Sequence, residues 1–289
     1  MMPAAFAKYA VKLQKMKTLT TIARIALVTT IVCFTSCNQM ETPATRTYAQ
    51  EIVMVNTDLT KSDSDIESAR VNAYIVNGGE RSLYFSDIFN SNGSIYRSNR
   101  VNYWPELEGG AVMSVQAVSP SNIEIVNDSF RYTVNRSASE DVKACSQNFD
   151  RAGAEMNLKL KSVMTKVNVN IRPENASNVE FEVESIVMEN VALSGEYSFE
   201  SGRMQPLEER GSLEIGELES KMYLVPQAAG DVKVVVNYKV YSNGYLVFEG
   251  THEASESGTF RQGGEFSYNI ILPVGARSIG FTGSVGTWN

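Results

Sequence analysis

From Tyr48 onward the chain alternates apolar and polar residues with the two-residue period of a half-buried strand. The pattern is cleanest in LKLK (Leu158–Lys161), KVNVNI (Lys166–Ile171), VEFEVE (Val179–Glu184), VKVVVNYKV (Val232–Val240) and EFSYNIIL (Glu265–Leu272). Glu51–Val55, Val71–Val76, Val112–Val118, Ile123–Val126 and Phe130–Val134 read as earlier strands. Turn formers separate them: Asn77-Gly78-Gly79, Asn92-Gly93, Glu108-Gly109-Gly110, Asn243-Gly244 and Gln262-Gly263-Gly264. The stretch YSNGYLVF (Tyr241–Phe248) predicts a hairpin, because Asn and Gly accept the positive φ that a two-residue turn requires.

After Cys37 no stretch keeps a 3.6-residue apolar period for three turns, and short helical pieces are expected only near Leu83–Phe89 and Asp141–Phe149. More than a dozen short strands exceed what one small sandwich uses. The expectation is therefore an all-β chain with two β-sandwich domains, 48–154 and 155–289. Their boundary falls near Ala154, after the polar run NRSASEDVKACSQNFDRAGAE.

Ahead of Cys37 the pattern is different. Read from Met16, MKTLTTIARIALVTTIVCFTSC has a basic start, an apolar run from Ile22 to Phe34 and then small residues. That is the layout of a secretory signal, too short to span a bilayer comfortably. Residues 1–15 add nothing to it, so Met16 is the expected initiator. Phe34-Thr35-Ser36-Cys37 resembles a bacterial lipobox, in which the peptidase reads a large apolar residue followed by two small ones and the next cysteine receives the lipid. On this reading 1–36 is the signal, Cys37 is the lipidated first mature residue and 37–47 is a tether. Several acyl chains, at about 0.8 kcal/mol per buried CH₂, anchor stably where one does not. The alternative is an ordinary signal followed by an incidental cysteine.

Composition narrows the function. With 43% hydrophobic and 20% charged residues in 289, the chain is one that builds a core. Its net charge of −7 hides an asymmetry, since Lys8, Lys12, Lys15, Lys17 and Arg24 precede Cys37 and no acidic residue does. The remainder carries 21 basic against 33 acidic residues, a charge of −12. Such a chain repels phosphate backbones, so nucleic acid is not an expected partner. Of three cysteines, Cys33 leaves with the signal and Cys37 is acylated, so Cys145 has no intramolecular disulfide partner and the core must hold the fold.

Catalytic chemistry is hard to find. The single histidine, His252, sits in the polar stretch EGTHEASESG and reads as a solvated side chain. No GxSxG, HExxH, CxxC or phosphate-cradling loop occurs. KSDSDIES (Lys61–Ser68) spaces acids as a Ca²⁺ loop would, but lacks the central Gly and distal Glu, so it reads as a solvated loop. Acidic residues are too numerous for any glycosidase-like pair to stand out. In NYWPE, Tyr103 and Trp104 are candidates to stack on a sugar ring, or Trp104 plugs the core. No catalytic residue, metal or cofactor is expected.

One resemblance covers the whole mature chain. It rests on the lipobox at Cys37, YWPELEGGAVMSVQAVSP (Tyr103–Pro120), LKLKSVMTKVNVNI (Leu158–Ile171), ENVALSGEYSFESG (Glu189–Gly202) and MYLVPQ (Met222–Gln227), with the closing GGEFSYNIILP and IGFTGSVGTWN. In their order and spacing these stretches resemble the fimbrillin family of anchored pilus subunits and related adhesion lipoproteins of Gram-negative gut and oral anaerobes. The resemblance implies two tandem transthyretin-like, Greek-key β-sandwich domains and a structural or adhesive role without enzymatic activity. It implies association with other fimbrial subunits, a lipid anchor in the outer membrane, surface exposure, and a receptor on a host or bacterial surface.

In shaft subunits of the family a trypsin-like protease removes the strand that follows the lipidated cysteine, and the vacated groove takes a strand from another subunit. Here the removable strand would be Tyr48–Leu59, with Ile52, Met54 and Leu59 as pocket fillers. Arg46 precedes it, Lys61 follows it, and Arg70 abuts the next strand; these are the candidate processing sites. A chain that is never cut there would be an anchor or accessory subunit. The tail carries alternating Ile279, Phe281 and Val285, and either closes its own domain or acts as a donor, closure being the expected role. The alternative function is a surface glycan-binding lipoprotein of a nutrient-capture system, using Tyr103 and Trp104; a hydrolase ranks behind both.

Overall fold

A computed structural model describes residues 50–56, 66–135, 140–153, 155–175 and 178–275, together with the backbone of 284–287. The expected signal segment, Cys37, Arg46, Leu59, Lys61, Ile279, Phe281 and Ala154, near the expected boundary, lie outside the described residues. Among those described, the chain is built from strands. They are β1 (Met54–Asn56), β2 (Ser68–Asn77), β3 (Glu80–Asn92), β4 (Ile95–Ser98), β5 (Val112–Ser119), β6 (Ser129–Thr133) and β7 (Lys143–Phe149). Then come β8 (Met156–Leu158), β9 (Lys161–Ser162), β10 (Thr165–Pro173), β11 (Val179–Ala192), β12 (Ser194–Ser198), β13 (Arg203–Pro206) and β14 (Arg210–Glu214). The series closes with β15 (Glu219–Leu224), β16 (Gln227–Ala228), β17 (Lys233–Ser242), β18 (Tyr245–Ser255), β19 (Thr259–Phe260), β20 (Gly264–Leu272) and β21 (Ser284–Thr287). One 3₁₀ turn, Ala229–Asp231, is the only helical element among the described residues.

The first sheet has the order β8-β1-β4-β3-β2-β5-β7-β9. Its two edges, β8 and β9, are joined by only Lys159 and Leu160. Laid flat, eight strands would separate the edge strands by about 34 Å. Leu158 and Lys161 are three Cα steps apart, about 11 Å at most. The sheet therefore rolls up, enclosing a core that contains Ile52, Met54, Val71, Phe89, Trp104, Met113, Val115, Met156 and Leu158.

The second core lies between two four-stranded sheets, β15-β10-β20-β21 and β14-β11-β17-β18. Inward residues of β10 (Val167, Val169, Ile171) and β20 (Phe266, Tyr268, Ile270, Leu272) join those of β11 and β17 (Ile186, Met188, Val234, Val236, Tyr238, Val240). The alternation read from VKVVVNYKV and EFSYNIIL is thus the alternation of core and solvent. The expected hairpin is present: Ser242 pairs with Tyr245 around Asn243 and Gly244, whose φ values are 51° and 81°.

The two cores do not divide at residue 154. Strand β6 is hydrogen-bonded to β12, with Phe130 stacked on Tyr197 at 5.0 Å between ring centres, so a strand expected in the N-terminal sandwich belongs to the second core. Strands β5 and β7 serve both cores. Met113, Val115 and Ala117 face the first, while Val118 and its partner Ala144 face the second. With both faces covered, the second half of β5 is buried at every position from Val115 to Ser119, Gln116 and Ser119 included.

Three further expectations change. Leu83–Phe89 and Asp141–Phe149 are not helical; they lie in or beside β3 and β7. In β3 a register shift opposite Ala73/Tyr74 breaks the inside–outside alternation, which hides the strand from a period count. Ile123–Val126 is irregular, not a strand, and ends in an isolated bridge from Val126 to Ser129 around Asn127 and Asp128, at φ 49° and 61°. LKLK is split between the end of β8 and the start of β9, because the chain crosses from one sheet edge to the other there.

Candidate strand-exchange groove

Residues 50–56 lie in a slot between two walls. On one side Trp104 donates its backbone N–H to Gln50 O at 2.9 Å, Ile52 donates to Asn102 O at 2.7 Å, Glu51 bridges Tyr103, and Met54 pairs with Tyr96. On the other side β1 runs parallel to β8, with Met54 opposite Met156, Val55 opposite Asn157 and Asn56 opposite Leu158; Met156 donates to Val53 O at 2.7 Å. Alternation sends Ile52 and Met54 inward, to 1% and 0% exposure. Each contributes about 1.5–3 kcal/mol through burial. The rim is held more loosely, since Glu51 and Arg97 pair at 2.9 Å with side chains more than 40% exposed and such pairs add at most about 1 kcal/mol.

Beneath the slot Trp104 is 5% exposed and meets Phe149 edge-on, ring centres 5.6 Å apart. Its neighbour Tyr103 is 46% exposed and its carbonyl accepts the Tyr84 hydroxyl at 2.9 Å. The two aromatics point to opposite sides of an extended segment, so they form no common sugar platform; this corrects the glycan-stacking expectation for Trp104, whose ring is core.

A family described as fimbrillin-like matches residues 41–288. The chain belongs to this family. The architecture of this fimbrillin-like chain is shared by a fimbrial protein from Bacteroides vulgatus, at 12% identity and a TM-score of 0.61, covering 83% of this chain and 100% of that one. Structures described as candidate cell adhesion proteins from Bacteroides uniformis and Bacteroides ovatus match at 11% and 13% identity, each with a TM-score of 0.58 over 83% of this chain and 98% of theirs. A search of curated proteins gives no match. As a fimbrillin-like chain it is a structural protein and not an enzyme.

The fimbrillin's other described candidate residues lie away from the slot. Arg70 does not precede β2 but lies within it, opposite Ile88 on one side and Val118 on the other, and its Nε donates to Ser121 O at 3.1 Å and Ile123 O at 2.9 Å. The following Val71 is fully buried. A protease needs an extended, accessible segment, so the Arg70–Val71 bond is closed to it while β2 stays paired. In the C-terminal segment the backbone of β21 runs antiparallel to β20, with Val285 opposite Phe266 and Thr287 opposite Gly264.

Elsewhere the chemistry is quiet. Cys145 is free, and burial pushes its thiol up to about 12, which keeps it protonated and unreactive. His252 lies on β18, where partial burial lowers its pKa. Among the described residues no group of His, Cys, Asp and Glu could hold a metal ion. Sequence reading missed one buried polar cluster, Asp141 with Ser162 Oγ at 2.5 Å and Lys143 Nζ at 3.7 Å. Burial raises the Asp141 pKa against the opposing pull of Ser162 and Lys143. Nothing in the local pattern DVKA marks it, because β5 and β9, which enclose that face, lie far off in sequence.

Proposed function

We propose that this chain is a structural and adhesive subunit of fimbriae, anchored in the outer membrane by acyl chains on Cys37 and joined to other fimbrial subunits by strand exchange at the β1 slot. The observation that carries the reading is the way residues 50–56 are held: a short segment between two walls, with Ile52 and, in the three-residue strand β1, Met54 in the core. Candidate cutting sites Arg46 and Lys61 flank it in sequence. Cutting after Lys61 would free the whole tether with β1, whereas cutting after Arg46 would release the lipid and leave the slot filled. Removing β1 uncovers the seats of Ile52 and Met54 and unpairs Asn102 O and the Met156 N–H, a loss of several kcal/mol. A domain stable by about 5–15 kcal/mol tolerates that only if another strand fills the slot.

Leu59 belongs to the segment that would leave with β1. For the tail, the backbone of β21 pairs with β20 of the same chain, Val285 opposite Phe266, while Ile279 and Phe281 lie outside the described residues. That pairing supports self-closure of the second core over donation. The deciding experiment is to identify the mature N-terminus on intact cells, then treat the purified lipoprotein with trypsin. A start at Cys37 that trypsin converts to Ser62, with heat-stable polymer ladders, is the expected outcome. A product that stays monomeric once Ser62 is exposed would remove strand exchange, and secretion of a Cys37→Ala variant into the medium tests the anchor.

A further inference from the structure

We propose that the junction of the β12–β13 hairpin, the β8–β9 link and the loop after β19 is a binding site for an anionic polysaccharide. Two open grooves of about 920 Å³ and about 470 Å³ meet there and share Ser201, Gly202 and Gln262. Arg203 and Arg261 line the larger, Lys159 and Lys161 the smaller. All four residues are exposed, and none of the four side chains forms an ion pair among the described residues. That sets them apart from Arg81, Arg97, Arg131, Lys143, Lys233 and Lys239, each of which faces a carboxylate. Glu200 is the one acidic residue on either lining. In a mature chain of charge −12, this is a local reversal of sign.

The floor is fixed before any ligand arrives. The Gln262 side chain accepts the Met204 N–H at 2.9 Å and donates to Gly202 O at 2.9 Å, tying the loop after β19 to the edge of β13. The hairpin turn is pinned by Gly202 N–H to Ser198 O at 2.9 Å, with Gly202 at φ 66°. The position of the cations is therefore set by backbone, not by free loops. Two arginine forks suit sulfate or carboxylate groups, which they hold through paired hydrogen bonds. Open, joined grooves suit a chain running through, and hydroxyl and amide groups such as Ser146, Gln147, Gln205 and Thr259 suit its hydroxyls. The aromatic residues on the linings, Tyr197, Phe199 and Phe260, are at most 7% exposed. Neither the apolar anchors of a protein interface nor stacking faces for nucleic-acid bases are on offer.

The site supplies a ligand class for the proposed adhesive subunit and rests on that reading only for its biological role. The test uses heparin as the probe. The mature protein is expected to be retained on immobilised heparin at low ionic strength, despite its acidity, and released by salt. A Lys159→Gln/Lys161→Gln/Arg203→Gln/Arg261→Gln variant with an unchanged melting temperature should bind about tenfold more weakly or worse, a loss of about 1.4 kcal/mol. An Arg100→Gln/Arg151→Gln/Lys221→Gln control, which removes three exposed cations outside the grooves, should bind as the parent does. No retention, equal loss in both variants, or tighter binding to polyglutamate than to heparin would overturn the proposal. Lost heparin binding with polymer ladders intact fails the site alone; retained binding in a protein that never polymerises fails the assembly reading alone.

Discussion

The two cores are closed in different ways. In the second, long ladders do the work: β11 pairs with β17 over ten positions, and β10 with β20 over eight. In the first, the closing element is β1, which pairs with β4 at a single position and with β8 at three. A ladder of ten distributes its backbone pairing, so no single paired position is decisive for keeping the strand in place. The segment 50–56 concentrates its hold in two buried side chains, Ile52 and Met54. On the proposed reading, the second core is the permanent one and the first is the one whose strand is exchanged, since withdrawing β1 breaks few pairings but leaves a slot that another strand must fill. The shared strands β5 and β7 set a limit to that independence, since Val118 and Ala144 tie them to the second core.

Truncating the second core should have the largest effect. Phe266 is 2% exposed and packs on Phe260 and Tyr268, with ring centres 4.9 and 5.2 Å away. Phe266→Ala is expected to cost about 3–5 kcal/mol in urea unfolding, through lost burial and a cavity that flanking strands cannot close. Hydrogen exchange should then accelerate along β10, β20 and, through the shared strands, β5 and β7. Met54→Ala comes next, at about 2–3 kcal/mol, since a flexible side chain leaves a site that partly collapses. Its accelerated exchange should be confined to β4, β8 and residues 102–104. If Met54→Ala loosens β10 and β20 as much as Phe266→Ala does, the two cores are one cooperative unit and the contrast fails.

How much of this was legible follows from where the information lies. Where a strand has one wet face, as Val232–Val240 and Glu265–Leu272 do, alternation announces it; where Asn-Gly makes the turn, so does the hairpin. The strands that escaped are those whose neighbours are remote. Leu83–Phe89 alternates poorly because β3 is bulged and mostly exposed, and is held by its ladder to β2. The transfer of β6 to the second core depends on pairing across more than sixty residues with β12, which no local pattern encodes. For the slot, Ile52 and Met54 could be named from alternation, but not that β8 would be their second wall. Arg70 reads as abutting the strand because alternation places its start at Val71, whereas the ladder begins at Ser68. The cations of the grooves come from three separate stretches, each ordinary by itself.

The smallest expected effect concerns a contact that links the two regions through one carboxylate. Asp128 sits at φ 61° in the turn before β6; it is paired with Arg81 of β3 and accepts the Gln116 side chain at 2.7 Å. The Arg81 hydrogen bond, opposed by partial burial and assisted by Gln116, holds its pKa below the usual carboxylate value of 3.8. A depressed pKa in the fold means that the contribution is complete above the unfolded-state value and is lost as pH falls through the folded one. Asp128→Asn keeps the left-handed backbone, which asparagine tolerates, and removes only the charge. With an Asp128 side chain 42% exposed, the cost near neutral pH should stay at or below about 1 kcal/mol. Urea midpoints of parent and variant should converge as pH drops below about 4, the range in which the parent carboxylate takes up its proton. A gap that persists unchanged into acid would assign the contact to shape instead of charge, and the link between β3 and the turn before β6 would then owe nothing to the ion pair.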